Sequence, residues 1–338
     1  MRSDPPLAPV PASSPDAPTS APGRIPAIDA ARAAALAAMA AYHLTWDLGY
    51  LRLTPENAAL SPAGRIAAHV IAGSFLVLVG VGLVLMNGRG VRLRPTLLRL
   101  LRVGGAAILI TVATYFAFPD SFIFFGILHC IAASSVLALP FLFVPAIVTA
   151  LAGALVVALP HLAAHPALDA PALFFLGLGR LTPQTNDYVP LFPWFGIVLF
   201  GVALGRIALP RFARSRPGLW RPRSRGARAA AFAGRHSLTI YLLHQPLLLG
   251  ALTGLVAVTG PHPRAGLAKF RADYVETCTR TGGEPASCRI AARCTGDALR
   301  KEGLWSVEGR GFTAPERVRA QGLSQRCYEA SEGTAPAP

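Results

Sequence analysis

Residues 122–160 read FIFFGILHCIAASSVLALPFLFVPAIVTALAGALVVALP, 39 positions without one Asp, Glu, Lys or Arg. As a single helix rising 1.5 Å per residue they would extend nearly twice the roughly 30 Å of a bilayer's hydrocarbon core. Pro140 and Pro145 sit where a tight turn would divide the run, which therefore reads as two spans with a short return. Working outward, similar apolar stretches occupy 27–49, 66–86, 97–118, 190–209 and 236–259, beside 122–140 and 143–160 within the run. The expectation is an all-α polytopic membrane protein with about seven transmembrane helices. No internal repeat of 20–50 residues is visible.

Composition agrees. Hydrophobic residues make up 53% of the 338 and charged residues only 14%, against about 25% charged in a soluble domain. A soluble enzyme, a disordered chain and a nucleic-acid binder are thereby excluded. The formal charge of +15 gathers in short segments instead of spreading evenly. The loop 87–102 carries Arg89, Arg92, Arg94, Arg99 and Arg102, and the stretch 206–235 carries nine arginines; neither holds an acid. The alternate loops contain Glu56, Asp120, Asp169 and Asp187. Short arginine-rich loops face the cytoplasm, so the N-terminus is expected inside and, with an odd number of spans, residue 338 outside.

Three regions follow: a Pro/Ala/Ser-rich tail at 1–23 read as disordered, a membrane domain at 24–260, and a polar segment at 261–338. That last segment holds Cys278, Cys288, Cys294 and Cys327, separated by nine, five and 32 residues. Such spacing lacks the close cysteine pairs of zinc sites, and two disulfides are expected, with any of three connectivities open. Cys130 is expected to stay reduced.

Ionisable groups inside a membrane are expensive and face protein or water. On a helix turning 100° per residue, Asp29, Arg32, His43 and Asp47 fall within about 60° of each other. Asp47 lies four residues after His43, where its carboxylate would orient the imidazole. His129 enters in FGILHCIA (125–132), and Ser237, Tyr241 and His244, followed by Gln245, in GRHSLTIYLLHQP (234–246). Asp187 stands at the outer mouth of DYVPLFPWFGIVLFGVALG (187–205), whose aromatics read as an interfacial belt. The plain alternative is a set of polar clamps that only hold helices together. No Walker A loop, dinucleotide fingerprint or H-E-x-x-H motif is present. A transporter or channel with a polar path is the main functional rival, and a sensor with a disulfide-stapled tail a weaker one.

Ile28-Asp29-Ala30-Ala31-Arg32, with His43 ten residues beyond the arginine, resembles the R-x₁₀-H first span of transmembrane acyltransferases. With the three later blocks in order, residues 24–258 resemble the bacterial branch of the heparan-α-glucosaminide N-acetyltransferase catalytic-domain family. The resemblance implies transfer of an acyl group, acetyl above all, from cytoplasmic acetyl-CoA to an extracytoplasmic sugar hydroxyl or amine. It implies a multi-pass protein of a bacterial inner membrane. Its partners would be acyl-CoA, a glycan or other envelope acceptor and membrane lipid, with no metal and no nucleic acid. It places His43 in the catalytic role and Arg32 in that of the motif arginine; by its spacing, Asp47 would orient His43. Arg32, His129, Asp187, Tyr241, His244 and Gln245 are the candidate binding residues.

Overall fold

The computed structural model describes residues 25–88, 90–305 and 311–332. The expected tail at 1–23, Arg89 and residue 338 lie outside them. Described residues form α-helices and short 3-10 turns, with no strand among them. Helix α1 (Pro26–Tyr50) begins with a proline in its first turn and Asp29 near its positive end. Helix α2 (Pro62–Asn87) starts where the Ser61 side chain accepts the Gly64 amide at 3.1 Å. Asn87, almost wholly buried, then accepts the Arg92 amide at 2.9 Å and the Thr96 hydroxyl at 3.3 Å. That clasp joins α2 to α3 (Leu93–Ala117). Next come α4 (Ile127–Leu137), α5 (Ala146–Ala163), α6 (Leu191–Phe212), α7 (Arg225–Arg235) and α8 (Ser237–Thr259).

Five described helices are long and apolar enough to cross a membrane: α2, α3, α5, α6 and α8. The protein is an all-α polytopic membrane protein. Two of the seven expected spans are not among the five. Helix α1 has the length, but its polar stripe dilutes its apolar character. The stretch 122–140 folds as only 11 residues of α-helix, preceded by irregular chain and followed by a 3-10 turn at Pro140–Leu142. Part of the expected loop 206–235 is helical instead, because alanines spaced between arginines give α7 an apolar side.

Helix α6 is the centre of the bundle and packs on α2, α5 and α4. Leu76 and Leu83 of α2 and Val198, Leu199 and Val202 of α6 are fully buried. A Cβ at Gly201 would strike the Val77 carbonyl, and one at Gly80 the Val198 carbonyl. Small residues at such crossings let transmembrane backbones touch, since hydrocarbon supplies no hydrophobic drive between helices. Large apolar side chains cover the outside, among them Ile108, Phe116, Ile147, Leu155, Leu247 and Val258. A surface of that kind faces lipid.

The polar C-terminal segment forms three helices: α9 (Leu267–Arg280), α10 (Pro285–Lys301) and α11 (Ala314–Glu332). Leu299, Leu304 and Leu323 make a small core with Phe270 and Trp305 packed on it. The four cysteines pair as Cys278–Cys288 and Cys294–Cys327, one of the three connectivities left open by their spacing. Cys130 is a buried free thiol. The root of this unit is tied to the α1–α2 connection: the His262 amide donates to the Arg52 carbonyl (2.8 Å) and the Gly266 amide to the Pro55 carbonyl (3.2 Å). A core this small relies on its staples. The change Cys288→Ser should cost the unit about 2–5 kcal/mol. Limited proteolysis should then cut within 267–332 while the α2–α6 bundle stays intact, and unchanged protection would refute this.

Candidate functional site

Helix α1 supplies both ends of the site. At its first turn Arg32 pairs with Asp29 at 3.0 Å, and the guanidinium lies against α2 at Gly82. Eleven residues on, roughly 16 Å along the axis, the His43 ring meets the His244 ring of α8, centroids 5.0 Å apart and inclined at 62°. One turn further, Asp47 is fully buried and its Oδ1 accepts from Gln245 Nε2 at 2.7 Å. His244 Nδ1 is 2.6 Å from the Tyr241 carbonyl. The structure thus brings together His43, Asp47, Tyr241, His244 and Gln245 from two helices nearly 200 residues apart.

The expected pairing differs in one respect. Spacing on α1 suggested that Asp47 orients His43. Among the described residues, the hydrogen-bond partner of Asp47 is Gln245, and His43 meets His244 through the ring. A neighbouring helix outcompetes the i,i+4 contact because the Gln245 amide reaches the carboxylate directly.

This cluster is only partly satisfied. Asp47 Oδ2, His244 Nε2 and Gln245 Oε1 are buried without a hydrogen-bond partner among the described residues. Buried polar atoms of folded proteins are generally paired, which makes these three atoms candidates for contact with a polar ligand. The arrangement offers an imidazole pair, a carboxylate able to stabilise an imidazolium, and unfilled capacity for a polar ligand.

Below it lies a cavity of about 330 Å³ walled by α1, α2, α3, α4, α7 and α8. Arg32, Arg99 and Arg235 converge on it with Asp29, Ser237 and Tyr241, and Ile127, Leu128 and Ile131 form an apolar wall. Arg99 and Arg235 were legible only as loop charges; three helices had to pack before they became one cationic wall. Helix α7 reaches the cavity because Gly234 lies directly on the Asp29 backbone, where any Cβ would strike the carbonyl oxygen.

His129 and Asp187 organise α4. His129 Nε2 is 3.1 Å from the Thr111 hydroxyl, and its Nδ1 accepts the Gly126 amide at 3.2 Å. Asp187 Oδ2 accepts the Ile127 amide at 2.9 Å, capping α4 from 60 residues away. Burial raises the pKa of this loop carboxyl, with the Ile127 amide acting in the opposite direction. Losing a cap costs about 0.5–2 kcal/mol. Accordingly Asp187→Ala should lower the midpoint of thermal unfolding by a few degrees, and an unaltered midpoint would show that the cap contributes nothing.

No curated protein and no solved structure matches the chain. Residues 24–246, about two thirds of it, match the family described as heparan-alpha-glucosaminide N-acetyltransferase, catalytic, and span α1 through the Tyr241–Gln245 end of the site. The chain belongs to that family of membrane acetyltransferases.

Proposed function

We propose that this protein takes an acyl group, acetyl in the simplest case, from cytoplasmic acyl-CoA. It delivers that group across a bacterial inner membrane to a sugar hydroxyl or amine. The observation that carries this reading is the continuity of the two features through Tyr241. Tyr241 lines the arginine cavity, and its carbonyl meets His244 three residues on along α8. Coenzyme A is polyanionic, and guanidinium forks at Arg32, Arg99 and Arg235 suit its phosphates. The pantetheine arm would lie along Ile127, Leu128 and Ile131, with the thioester directed toward His43 and His244.

In the direct route, an imidazole of the pair removes the acceptor proton as the acceptor oxygen or nitrogen attacks the thioester carbon. The carbon–sulfur bond breaks, and the departing thiolate recovers that proton from the imidazolium. In the two-step route the imidazole itself attacks the thioester carbon and expels the coenzyme A thiolate; the acceptor then attacks the acyl-imidazole, its proton going to the departing imidazole nitrogen. Asp47, held by Gln245, supplies a nearby negative charge that stabilises an imidazolium in either route.

The test uses the full chain in sealed vesicles, with radiolabelled acetyl-CoA on the face bearing the arginine loops and a soluble amino sugar on the other. Acetylated sugar should appear together with free coenzyme A. Label crossing as intact donor, or no coenzyme A release with hydroxyl or amine acceptors, would sink the reading. Mass spectrometry of envelope glycans from a deletion strain would then identify the acceptor.

A further inference from the structure

Of the nine arginines in 206–235, only Arg235 lines the arginine cavity. Arg211, Arg214, Arg216, Arg221, Arg223, Arg225 and Arg228 are exposed, and no acid accompanies them. This stretch connects α6 to α8, two membrane-crossing helices, so it lies where bilayer meets water. Apolar side chains stand exposed among the arginines: Leu219 at 59% and Phe232 at 55%. Leu219, Trp220, Arg221, Arg223, Ser224 and Ala227 line an open surface groove, separate from the donor cavity. Ser224 accepts the Ala227 amide at 3.1 Å and starts α7 beside it.

We infer that residues 211–228 are a docking surface for anionic phospholipid, with the headgroup phosphate held by Arg221 and Arg223 and an acyl chain against Leu219 and Trp220. Dense positive charge without acids complements a phosphodiester. An indole and a leucine beside it belong at the depth where headgroup gives way to hydrocarbon. Because α7 continues from this surface to Gly234 and Arg235, bound lipid would also brace the cationic wall of the donor cavity.

Native mass spectrometry of the full chain in detergent, titrated with phosphatidylglycerol or phosphatidylcholine, reads the preference directly. Wild-type protein should retain the anionic lipid about ten-fold better. The combined change Arg214→Gln, Arg216→Gln, Arg221→Gln and Arg223→Gln should abolish that preference, and the matching four lysines should keep most of it. In wild-type protein, photoactivatable phosphatidylglycerol should crosslink within 211–228. Equal retention of the two lipids, an unaltered preference in the glutamine variant, or crosslinks confined to other segments would overturn the inference. So would displacement of the lipid by excess coenzyme A, which would assign the segment to the donor.

Discussion

Replacing His43 by alanine should lower acyl transfer roughly 10²–10⁴-fold, the usual loss when a positioned acid–base group is removed. Coenzyme A binding should survive, because the arginine wall lies roughly 16 Å down α1 from the imidazole. His244→Ala should produce a comparable fall, since His244 is the ring against which His43 packs. Asp47→Asn should be milder, about ten-fold, because asparagine retains an oxygen for the Gln245 amide and loses only the charge that stabilises an imidazolium. The assay is coenzyme A release with acceptor present, alongside equilibrium binding of coenzyme A to each variant. Near wild-type turnover in both histidine variants would make the cluster a helix clamp and send the search for the catalytic group to other residues.

Gly234→Ala is the second change with a large expected effect. Alanine favours a helix over glycine by about 1 kcal/mol, so propensity alone would have α7 gain. The new methyl would instead occupy the place of the Asp29 carbonyl. It should lever α7 off α1, withdraw Arg235 and disturb the Asp29–Arg32 pair. The KM for acyl-CoA should rise about ten-fold or more, as loss of charged contacts to a phosphate predicts, with kcat changed far less. Gly226→Ala serves as the control, since a Cβ there meets nothing within 4 Å. Equal donor KM in the two variants would show that the α1–α7 contact does not shape the cavity.

Much of this architecture was legible in one dimension, and the exceptions have identifiable causes. Apolar runs of membrane length revealed α2, α3, α5, α6 and α8 because lipid demands apolar surface. The polar stripe of α1 was legible because helical periodicity alone places Asp29, Arg32, His43 and Asp47 on one side. Partners on other helices were not legible. Asp47 meets Gln245 across 198 positions, and spacing within α1 offered only the nearer His43. Asp187 stands at a helix mouth in the sequence, and only the folded chain shows that its carboxylate also accepts the first amide of α4. Arg99 and Arg235 looked like ordinary topology signals, and only the packing of α1, α3 and α7 shows that they share a wall with Arg32. Helix α7 was missed because its 11 residues, rich in arginine, resemble a loop by composition.

The brevity of α4 bears on how far an acyl group must travel. Its 11 residues make roughly 16 Å of helix, about half the hydrocarbon thickness. The chain on either side is irregular, and irregular backbone is tolerated at membrane depth only where protein or water surrounds it. Under the proposed reaction, the barrier between the two aqueous phases beside Ile127, Leu128 and Ile131 would be a thin partition and not a full bilayer. A tethered thioester that could never stretch across intact lipid has only that partition to bridge. Under the proposed reaction, crossing the membrane becomes a question of arm's reach, and the donor itself never has to leave its own side.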